Sequence, residues 1–194
     1  MNLSEYLITH NITFYEGHVQ QISEQIELLN ELSFNSEKIL EIGFGMGHSS
    51  EVFLSSHPNR IVVSFDDGNY IGYSVGKGFI DLNYPLRHTL ILGDSKKTLP
   101  NYINKINTTF DLIFIDGGHS YETSKSDLLN CKKLANNNTI VVMDDIILNE
   151  DWKQDWTIFP TTVWYESIKL GIIKELGIIE FEKGRGMAWG HYIF

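Results

Sequence analysis

Short apolar runs recur through the middle of the chain and are separated by longer stretches of mixed character. Five of these runs predict buried strands, at residues 38–42, 61–65, 89–92, 111–115 and 139–143. Continuous runs rich in β-branched and aromatic residues, with helix-length stretches between them, are typical of a parallel sheet covered by helices on both faces. The pattern therefore predicts a doubly wound, Rossmann-like α/β core.

Helical periodicity appears before and between these strands. Apolar residues recur at spacings of three and four from Val19 to Leu29, which predicts a helix with one apolar stripe over residues 17–32. Similar arguments predict three further helices, at residues 49–54, 121–134 and 161–170. The N-terminal part is therefore expected to be helical and to precede the sheet.

The C-terminal segment has a different pattern. Residues 178–182 and 187–193 are strand-like and are joined by residues 183–186, a short turn that contains glycine. Two strands joined in this way form an antiparallel hairpin. We therefore expect a seven-stranded, mostly parallel sheet that ends in this hairpin. We also expect a single domain of residues 1–194, comprising an N-terminal helical region (1–36) and the α/β core (37–194).

Composition narrows the classes of partner. With 25 acidic and 15 basic residues, the net charge of −10 gives the surface no general attraction for nucleic acid or anionic lipid. Cys131 is the only cysteine, which excludes an intramolecular disulfide and fits a reducing compartment. No window approaches the roughly 20 apolar residues of a membrane span. We therefore expect a cytoplasmic protein that binds neither nucleic acid nor membranes.

Three glycines follow the first predicted strand and precede a helix. Gly43, Gly45 and Gly47 are spaced G-x-G-x-G, whereas dinucleotide-binding proteins use G-x-G-x-x-G to seat a pyrophosphate on the helix N-terminus. The close turn favours a ligand without a bulky pyrophosphate. Asp66 ends the second strand 23 residues after Gly43, near the spacing at which a carboxylate reaches ribose hydroxyls, and Asp67 is the alternative. The pattern predicts a nucleoside ligand.

Between residues 38 and 145 the chain resembles the class I S-adenosylmethionine-dependent methyltransferases. The resemblance rests on the glycine loop with its leading acid and on the polar residues that follow the later strands, namely Glu41, Asp66, Asp94, Ser95, Asp116, Asp144 and Asp145. It implies S-adenosylmethionine as the cofactor and a sheet that finishes in an antiparallel hairpin.

The resemblance also implies where the cofactor lies. Its methionine end would contact Glu41, Asp116 and the loop residues Gly43, Phe44, Gly45 and Gly47. Its ribose would contact Asp66, and its adenine ring would contact Asp94 and Ser95. From the sequence alone, Asp94 is equally well placed to cap the following helix.

Acidic residues stand at the ends of two neighbouring strands. Asp116 follows the fourth predicted strand, and Asp144 and Asp145 follow the fifth. Because the carboxyl ends of parallel strands meet at one sheet edge, these carboxylates should converge there, although each could instead cap a helix or form a turn. Oxygen ligands suit a hard cation such as Mg²⁺, which can orient an acceptor hydroxyl and lower its pKa.

His119 lies three residues beyond Asp116 and is a candidate general base, because histidine titrates near neutral pH. Residues 116–121 resemble the corresponding segment of the metal-dependent small-molecule O-methyltransferases, particularly the group that acts on macrolide sugars. In that group the aspartate is a metal ligand and the histidine is the base. The resemblance thus implies catalytic roles for Asp116 and His119, and a divalent cation on Asp116, Asp144 and Asp145.

The main hypothesis is an S-adenosylmethionine-dependent, metal-assisted O-methyltransferase whose acceptor is a small-molecule hydroxyl. Two long stretches are expected to be loops above the sheet and are candidate walls of the acceptor pocket, namely residues 69–85 with three tyrosines and residues 149–160 with Trp152 and Trp156. Two alternatives remain open. One is a nicotinamide-dependent dehydrogenase, and the other is a non-catalytic interaction module that forms a homodimer through its N-terminal helix.

Overall fold

The computed structural model describes residues 1–13 and 17–194. The strands are β1 (Lys38–Ile42), β2 (Ile61–Asp66), β3 (His88–Leu92), β4 (Leu112–Ile115), β5 (Ile140–Asp144), β6 (Ile173–Glu182) and β7 (Arg185–Tyr192). They form one seven-stranded sheet in the order β3-β2-β1-β4-β5-β7-β6. β1 to β5 are parallel, and β7 is antiparallel to both β5 and β6. The predicted sheet and its closing hairpin are therefore confirmed.

The helices are α1 (Leu3–Thr9), α2 (Ser23–Leu32), α3 (His48–Ser56), α4 (Tyr73–Asn83), α5 (Ser95–Ile103), α6 (Tyr121–Lys132) and α7 (Asp155–Lys169). A short 3₁₀ turn, Val19–Gln21, precedes α2. The helix predicted over residues 17–32 is therefore interrupted, because Ile22 has extended backbone angles between the 3₁₀ turn and α2.

Two helices differ from the expectations for their segments. α4 lies in residues 69–85, which the sequence suggested to be a loop, and its interior contains Gly76 and Gly78. Gly76 has a packing reason, because a Cβ there would lie 1.9 Å from the carbonyl oxygen of Met46. α7 begins before the predicted residue 161 and contains Pro160, a residue that normally argues against a helix interior.

The register of the sheet brings several strand ends together. β1 pairs with β2 and β4, so that Ile42 lies opposite both Phe65 and Ile115. The strand order runs outward from β1 in one direction through β2 and β3, and in the other direction from β4. The position between β1 and β4 is therefore a topological switch point, which leaves a crevice at the carboxyl ends of the strands. β5 and β7 place Asp144 opposite Met187 at the same edge. The hairpin therefore contributes its turn to this crevice.

Apolar residues pack on both faces of the sheet. One face carries a cluster that includes Ile113, Leu128 and Trp164, and the other carries a cluster that includes Leu29 and Phe114. α2, α3 and α4 contribute to the second face, whereas α5, α6 and α7 contribute to the first. Helices therefore cover both faces, as predicted.

None of the helices in residues 1–13 and 17–194 combines the length and the apolar character that crossing a membrane requires.

Candidate active site

A cavity of about 840 Å³ opens at the carboxyl ends of the parallel strands. Most of the predicted site residues line it, namely Gly43, Phe44, Gly45, Asp66, Asp94, Ser95, Asp116, His119, Asp144 and Asp145. Glu41 and Gly47 are not among its lining residues. The structure thus brings the glycine loop (residues 43–47) and the acidic cluster (Asp116, His119, Asp144 and Asp145) to one space.

The glycine loop passes very close to the end of β4. Gly43 has a φ of +96°, and a Cβ at this position would lie 1.7 Å from the carbonyl oxygen of Asp116. Gly47, with a φ of +94°, is the N-cap residue of α3. Only glycine combines this left-handed backbone with so close an approach. Gly47 therefore allows the loop to turn into α3, although its own atoms do not line the cavity.

Asp66 holds the glycine loop in place. Its Oδ2 accepts hydrogen bonds from the backbone N–H groups of Phe44 (2.9 Å) and Gly45 (2.8 Å), and its Oδ1 accepts one from Gly68 (2.7 Å). The residue is only 8% exposed. Asp67 is exposed beside it and also lines the cavity. The sequence placed a ribose contact on Asp66 and did not anticipate this structural role.

Glu41 lies beneath the loop and is fully buried. Its carboxylate accepts hydrogen bonds from the hydroxyls of Ser49 (2.6 Å), Ser50 (2.5 Å) and Ser64. Burial raises the pKa of Glu41, and the three serine hydrogen bonds oppose that rise. Ser49 lines the cavity and Glu41 does not, so the hydroxyl of Ser49 connects the buried carboxylate to the cavity wall. The sequence implied a direct contact here, and the structure instead places Glu41 one residue behind the wall.

Asp94 and Ser95 lie at the start of α5. Asp94 Oδ1 accepts a hydrogen bond from the backbone N–H of Lys96 at 3.0 Å, so Asp94 caps the helix. Both residues also line the cavity. The capping role that the sequence left open is therefore present, alongside a position where an adenine ring could be bound.

The acidic cluster places one imidazole among its carboxylates. Ligand atoms of Asp116, His119 and Asp145 all lie within 4.8 Å of one another. His119 Nε2 lies 2.8 Å from Asp145 Oδ2. Burial, followed by the nearby charges of Asp144 and Asp145, raises the pKa of Asp116 well above its ordinary value. The predicted convergence of these strand ends is confirmed.

Asp144 is set apart from that group by a partner from the N-terminal region. Both of its carboxylate oxygens accept hydrogen bonds from Gln25 Nε2, at 3.2 and 3.1 Å. Burial, and then the charge of Asp145, raises the pKa of Asp144 to about 7. Gln25 is itself fully buried, and its Oε1 accepts a hydrogen bond from Arg185. The sequence analysis did not identify Gln25 or Arg185, since they lie 119 and 41 residues from Asp144.

Two histidines stack at the mouth of the glycine loop. The rings of His18 and His48 are 3.6 Å apart at an interplanar angle of 12°, and both residues line the cavity. Burial, with Arg185 nearby, lowers the pKa of His18 to about 4. Burial, with His18 nearby, lowers the pKa of His48 to about 3. Both rings are therefore neutral at pH 7 and offer an uncharged aromatic surface.

Only some aromatic residues of the two predicted pocket stretches line the cavity. Tyr70 and Trp156 line the cavity. Tyr73, Tyr84 and Trp152 are not among its lining residues. Tyr84 packs instead beneath the guanidinium of Arg87, 5.1 Å from the ring centre. Each stretch therefore contributes one aromatic residue to the cavity wall.

Comparison with known proteins agrees with this geometry. The sequence profile of a methyltransferase domain family matches residues 40–146. No curated protein matches the chain by sequence. Among solved structures, the O-methyltransferase from Bacillus cereus in complex with SAH is similar at a TM-score of 0.78 and 19% identity, over 98% of this chain and 90% of that one.

Two further structures share the fold. The O-methyltransferase TomG from Streptomyces achromogenes, involved in tomaymycin synthesis and in complex with SAM, has a TM-score of 0.74 and 16% identity, over 99% of this chain and 88% of that one. The SAH-bound Podospora anserina methyltransferase has a TM-score of 0.68 and 18% identity, with coverage of 99% and 88%. With more than half of its sequence matched by the family profile, the chain belongs to the methyltransferase domain family and has the class I methyltransferase fold.

Proposed function

We propose that this methyltransferase transfers the methyl group of S-adenosylmethionine to a hydroxyl of a small molecule, with assistance from a divalent cation. The observation that carries the proposal is the meeting of the glycine loop and the acidic cluster in one cavity of about 840 Å³. That volume is in the range of small-molecule sites and leaves room for a cofactor beside an acceptor. The SAM and SAH complexes of proteins with the same fold support the choice of cofactor.

The backbone of the glycine loop supports a cofactor without a pyrophosphate. In the proposed complex, Gly43, Phe44 and Gly45 contact the methionine end, and Ser49 extends the contact that Glu41 directs from below. Asp66 or its exposed neighbour Asp67 binds the ribose hydroxyls. Asp94 and Ser95 stand beside the adenine ring. The spacing of the glycines argues against the dehydrogenase alternative, which would require a pyrophosphate at this turn.

The acidic cluster fits a hard divalent cation. Carboxylates of Asp116 and Asp145 lie together with His119, and Asp144 stands beside them, so oxygen ligands dominate the set. Burial, and then the charges of neighbouring carboxylates, raises the pKa values of Asp116 and Asp144, and a bound cation would favour their ionised forms. We propose that Asp116, Asp144 and Asp145 hold the ion. When bound, it supplies Lewis-acid stabilisation of the acceptor oxygen.

Side chains of the acidic cluster are proposed to accept the proton that the acceptor hydroxyl loses. His119 is the proposed general base that takes the proton of the acceptor hydroxyl. The 2.8 Å contact with Asp145 Oδ2 orients this ring and stabilises its protonated form once the proton has moved. We propose a small-molecule acceptor in the cytoplasm, because the net charge of −10 does not favour nucleic acid or anionic membranes.

Calorimetry with SAH tests the cofactor. We expect one site per chain, with an affinity that NADH does not match under the same conditions. The absence of binding at millimolar SAH would overturn the proposal, and binding of NADH in preference to SAH would favour the dehydrogenase. A second titration, with Mg²⁺ on wild type and on Asp145→Asn, tests the ion. Equal heats for the two proteins would remove the metal and leave the methyltransferase.

A further inference from the structure

Arg185 is a cavity-lining cation that the proposed chemistry does not use. It begins β7 and lines the same cavity as the acidic cluster. Lys96, the other basic residue among those that line the cavity, stands beside Asp94 and Ser95. In a chain of net charge −10, the position of a guanidinium in this wall requires an explanation.

The guanidinium is fixed by neutral partners. Its Nη2 donates a hydrogen bond to Gln25 Oε1 at 2.9 Å, and its Nη1 donates one to Gln21 Oε1 at 3.3 Å. No carboxylate forms an ion pair with it in the part of the chain that the structure describes. Since a guanidinium has five N–H donors, it retains donors for a ligand after both bonds are made.

Gln25 separates this cation from the acidic cluster. Its Nε2 donates to Asp144 while its Oε1 accepts from Arg185, so one buried amide lies between the two charges. The charge of Arg185 opposes the raised pKa values of Asp144 and Asp116, yet Arg185 does not form the direct bidentate pair with Asp144 that would be the stronger arrangement. The interposed amide holds the guanidinium near Asp144 without a direct ion pair, so the guanidinium keeps donors available to a ligand.

The backbone around Arg185 is also built for this position. The preceding residue, Gly184, donates its N–H to the carbonyl of Trp152 at 2.8 Å and accepts from the indole of Trp156 at 3.2 Å. On the other side, a Cβ on Gly17 would lie 2.6 Å from Arg185 Nη1. Two tryptophans therefore fix the turn, and a glycine allows the N-terminal segment to pack against the guanidinium.

We infer that Arg185 binds an oxyanion of the acceptor, so that the substrate class is a hydroxyl compound that also carries a carboxylate or phosphate group. The inference rests on the proposed function. Arginine suits this task because its planar fork matches carboxylate and phosphate oxygens in a bidentate manner. The guanidinium, which lies near Trp156 and the acidic cluster, fixes one end of the acceptor. The hydroxyl of the acceptor then faces the methyl group of the cofactor.

A matched pair of probes tests the inference by calorimetry on enzyme saturated with SAH and Mg²⁺. Protocatechuate carries neighbouring hydroxyls and a carboxylate, and protocatechuamide replaces that carboxylate by a neutral amide. We expect the acid to bind wild type about tenfold more tightly than the amide, as for a charge-assisted contact. Arg185→Gln should remove that preference, and Arg185→Lys should retain part of it. Lys183→Gln, which removes a charge from the same turn outside the cavity, should preserve it.

Several results would overturn the inference. These are equal affinity of wild type for acid and amide, no binding of either probe, or a preference that survives in Arg185→Gln. A loss of SAH affinity in Arg185→Gln similar to its loss of acid affinity would assign the guanidinium to the cofactor carboxylate instead. A change in Mg²⁺ affinity alone would make it a counter-ion. Failure of the proposed function is distinguishable, because wild type would then not bind SAH in the first titration.

Discussion

The glycine loop and the acidic cluster face the same cavity but are constructed in opposite ways. In the glycine loop, the backbone faces the ligand space, and the nearby acids Glu41 and Asp66 turn their oxygens toward protein donors. In the acidic cluster, side chains face the space, and the surroundings raise the pKa values of Asp116 and Asp144. One region is held in place by hydrogen bonds within the protein, whereas the other contains buried carboxyl groups whose ionisation the protein opposes.

This difference predicts what each region tolerates. In the glycine loop, a substitution should act through steric clash, and it should impair folding and cofactor binding together. In the acidic cluster, a substitution should instead impair the reaction. Neutralising one of the buried carboxylates should leave the fold intact or make it more stable. Four predictions, ordered by the size of their expected effects, separate these two behaviours.

Gly43→Ala should have the largest effect, because its Cβ would lie 1.7 Å from the Asp116 carbonyl oxygen at a φ of +96°. We expect a loss of stability of more than about 3 kcal/mol and no measurable SAH binding. Thermal unfolding and calorimetry measure the two effects. Gly78→Ala is the control, since nothing lies within 4 Å of its Cβ in α4. The control should be as stable as wild type or more stable by about 0.5–1 kcal/mol. Normal SAH binding by Gly43→Ala would contradict the argument.

Asp145→Asn should affect chemistry without affecting the fold. It removes a carboxylate of the acidic cluster and the partner of His119 Nε2. We expect methyl transfer to fall about 10²–10⁴-fold, while the SAH dissociation constant changes only a few-fold. Asp151→Asn, in an exposed loop, should behave as wild type. Full activity of Asp145→Asn, or of wild type in excess chelator, would show that the cluster is not catalytic.

Asp127 tests how charge is tolerated where the two regions meet. It lies on α6, is 1% exposed, and has its Oδ2 3.3 Å from the Cβ position of Gly117. Burial raises its pKa from 3.8 to about 6, and neither of its carboxylate oxygens has a hydrogen-bond partner among the described residues. Since the folded state resists ionisation, its stability contribution is complete below pH 3.8 and is lost as the pH rises through about 6.

Comparison of wild type with Asp127→Asn by denaturant unfolding measures this contribution. We expect wild type to lose up to about 3 kcal/mol relative to the variant as the pH rises through that window. Parallel stability profiles for the two proteins across the same pH range would refute the assignment. Asp111→Asn provides a control, because that carboxylate accepts two backbone hydrogen bonds far from the cavity, at the other end of the sheet.

Asp66→Asn and Asp67→Asn should have the smallest effects. Together they should show which of the two aspartates supports the glycine loop and which binds the ribose. Asp66 accepts three backbone hydrogen bonds, so its substitution should cost about 1–2 kcal/mol in stability and weaken SAH. Asp67 is exposed and, among the described residues, its carboxylate accepts hydrogen bonds from Asn69 alone, so its substitution should weaken SAH binding a few-fold at unchanged stability. If Asp67→Asn instead destabilises the fold more than Asp66→Asn, the two roles are reversed.

The sheet was predictable because its central parallel strands, β1, β4 and β5, are buried on both faces and therefore carry largely apolar runs. α4 and the start of α7 were not, because tertiary packing there overrides local propensity. Gly76 is required by the carbonyl of Met46, and Pro160 is accommodated inside α7. Propensity is a weak guide where such packing decides.

The candidate site shows a similar division. Residues at strand ends, such as Asp116 and Asp145, could be predicted because strand order and direction place them at one edge. Gln25 and Arg185 could not, because their role depends on a contact between segments 160 residues apart in sequence. The orientation of Glu41 was also hidden, since no local pattern specifies which donors a buried carboxylate will meet.

The antiparallel direction of β7 has a consequence for how this enzyme can diversify. A parallel strand presents its C-terminal end to the crevice, but β7 presents its beginning, directly after the turn that ends with Gly184. Insertions, deletions or substitutions in that turn would alter the chemistry next to the acceptor while every connection that carries the cofactor contacts keeps its length. The hairpin is therefore the segment to vary in a library that seeks new acceptors with an unchanged methyl donor.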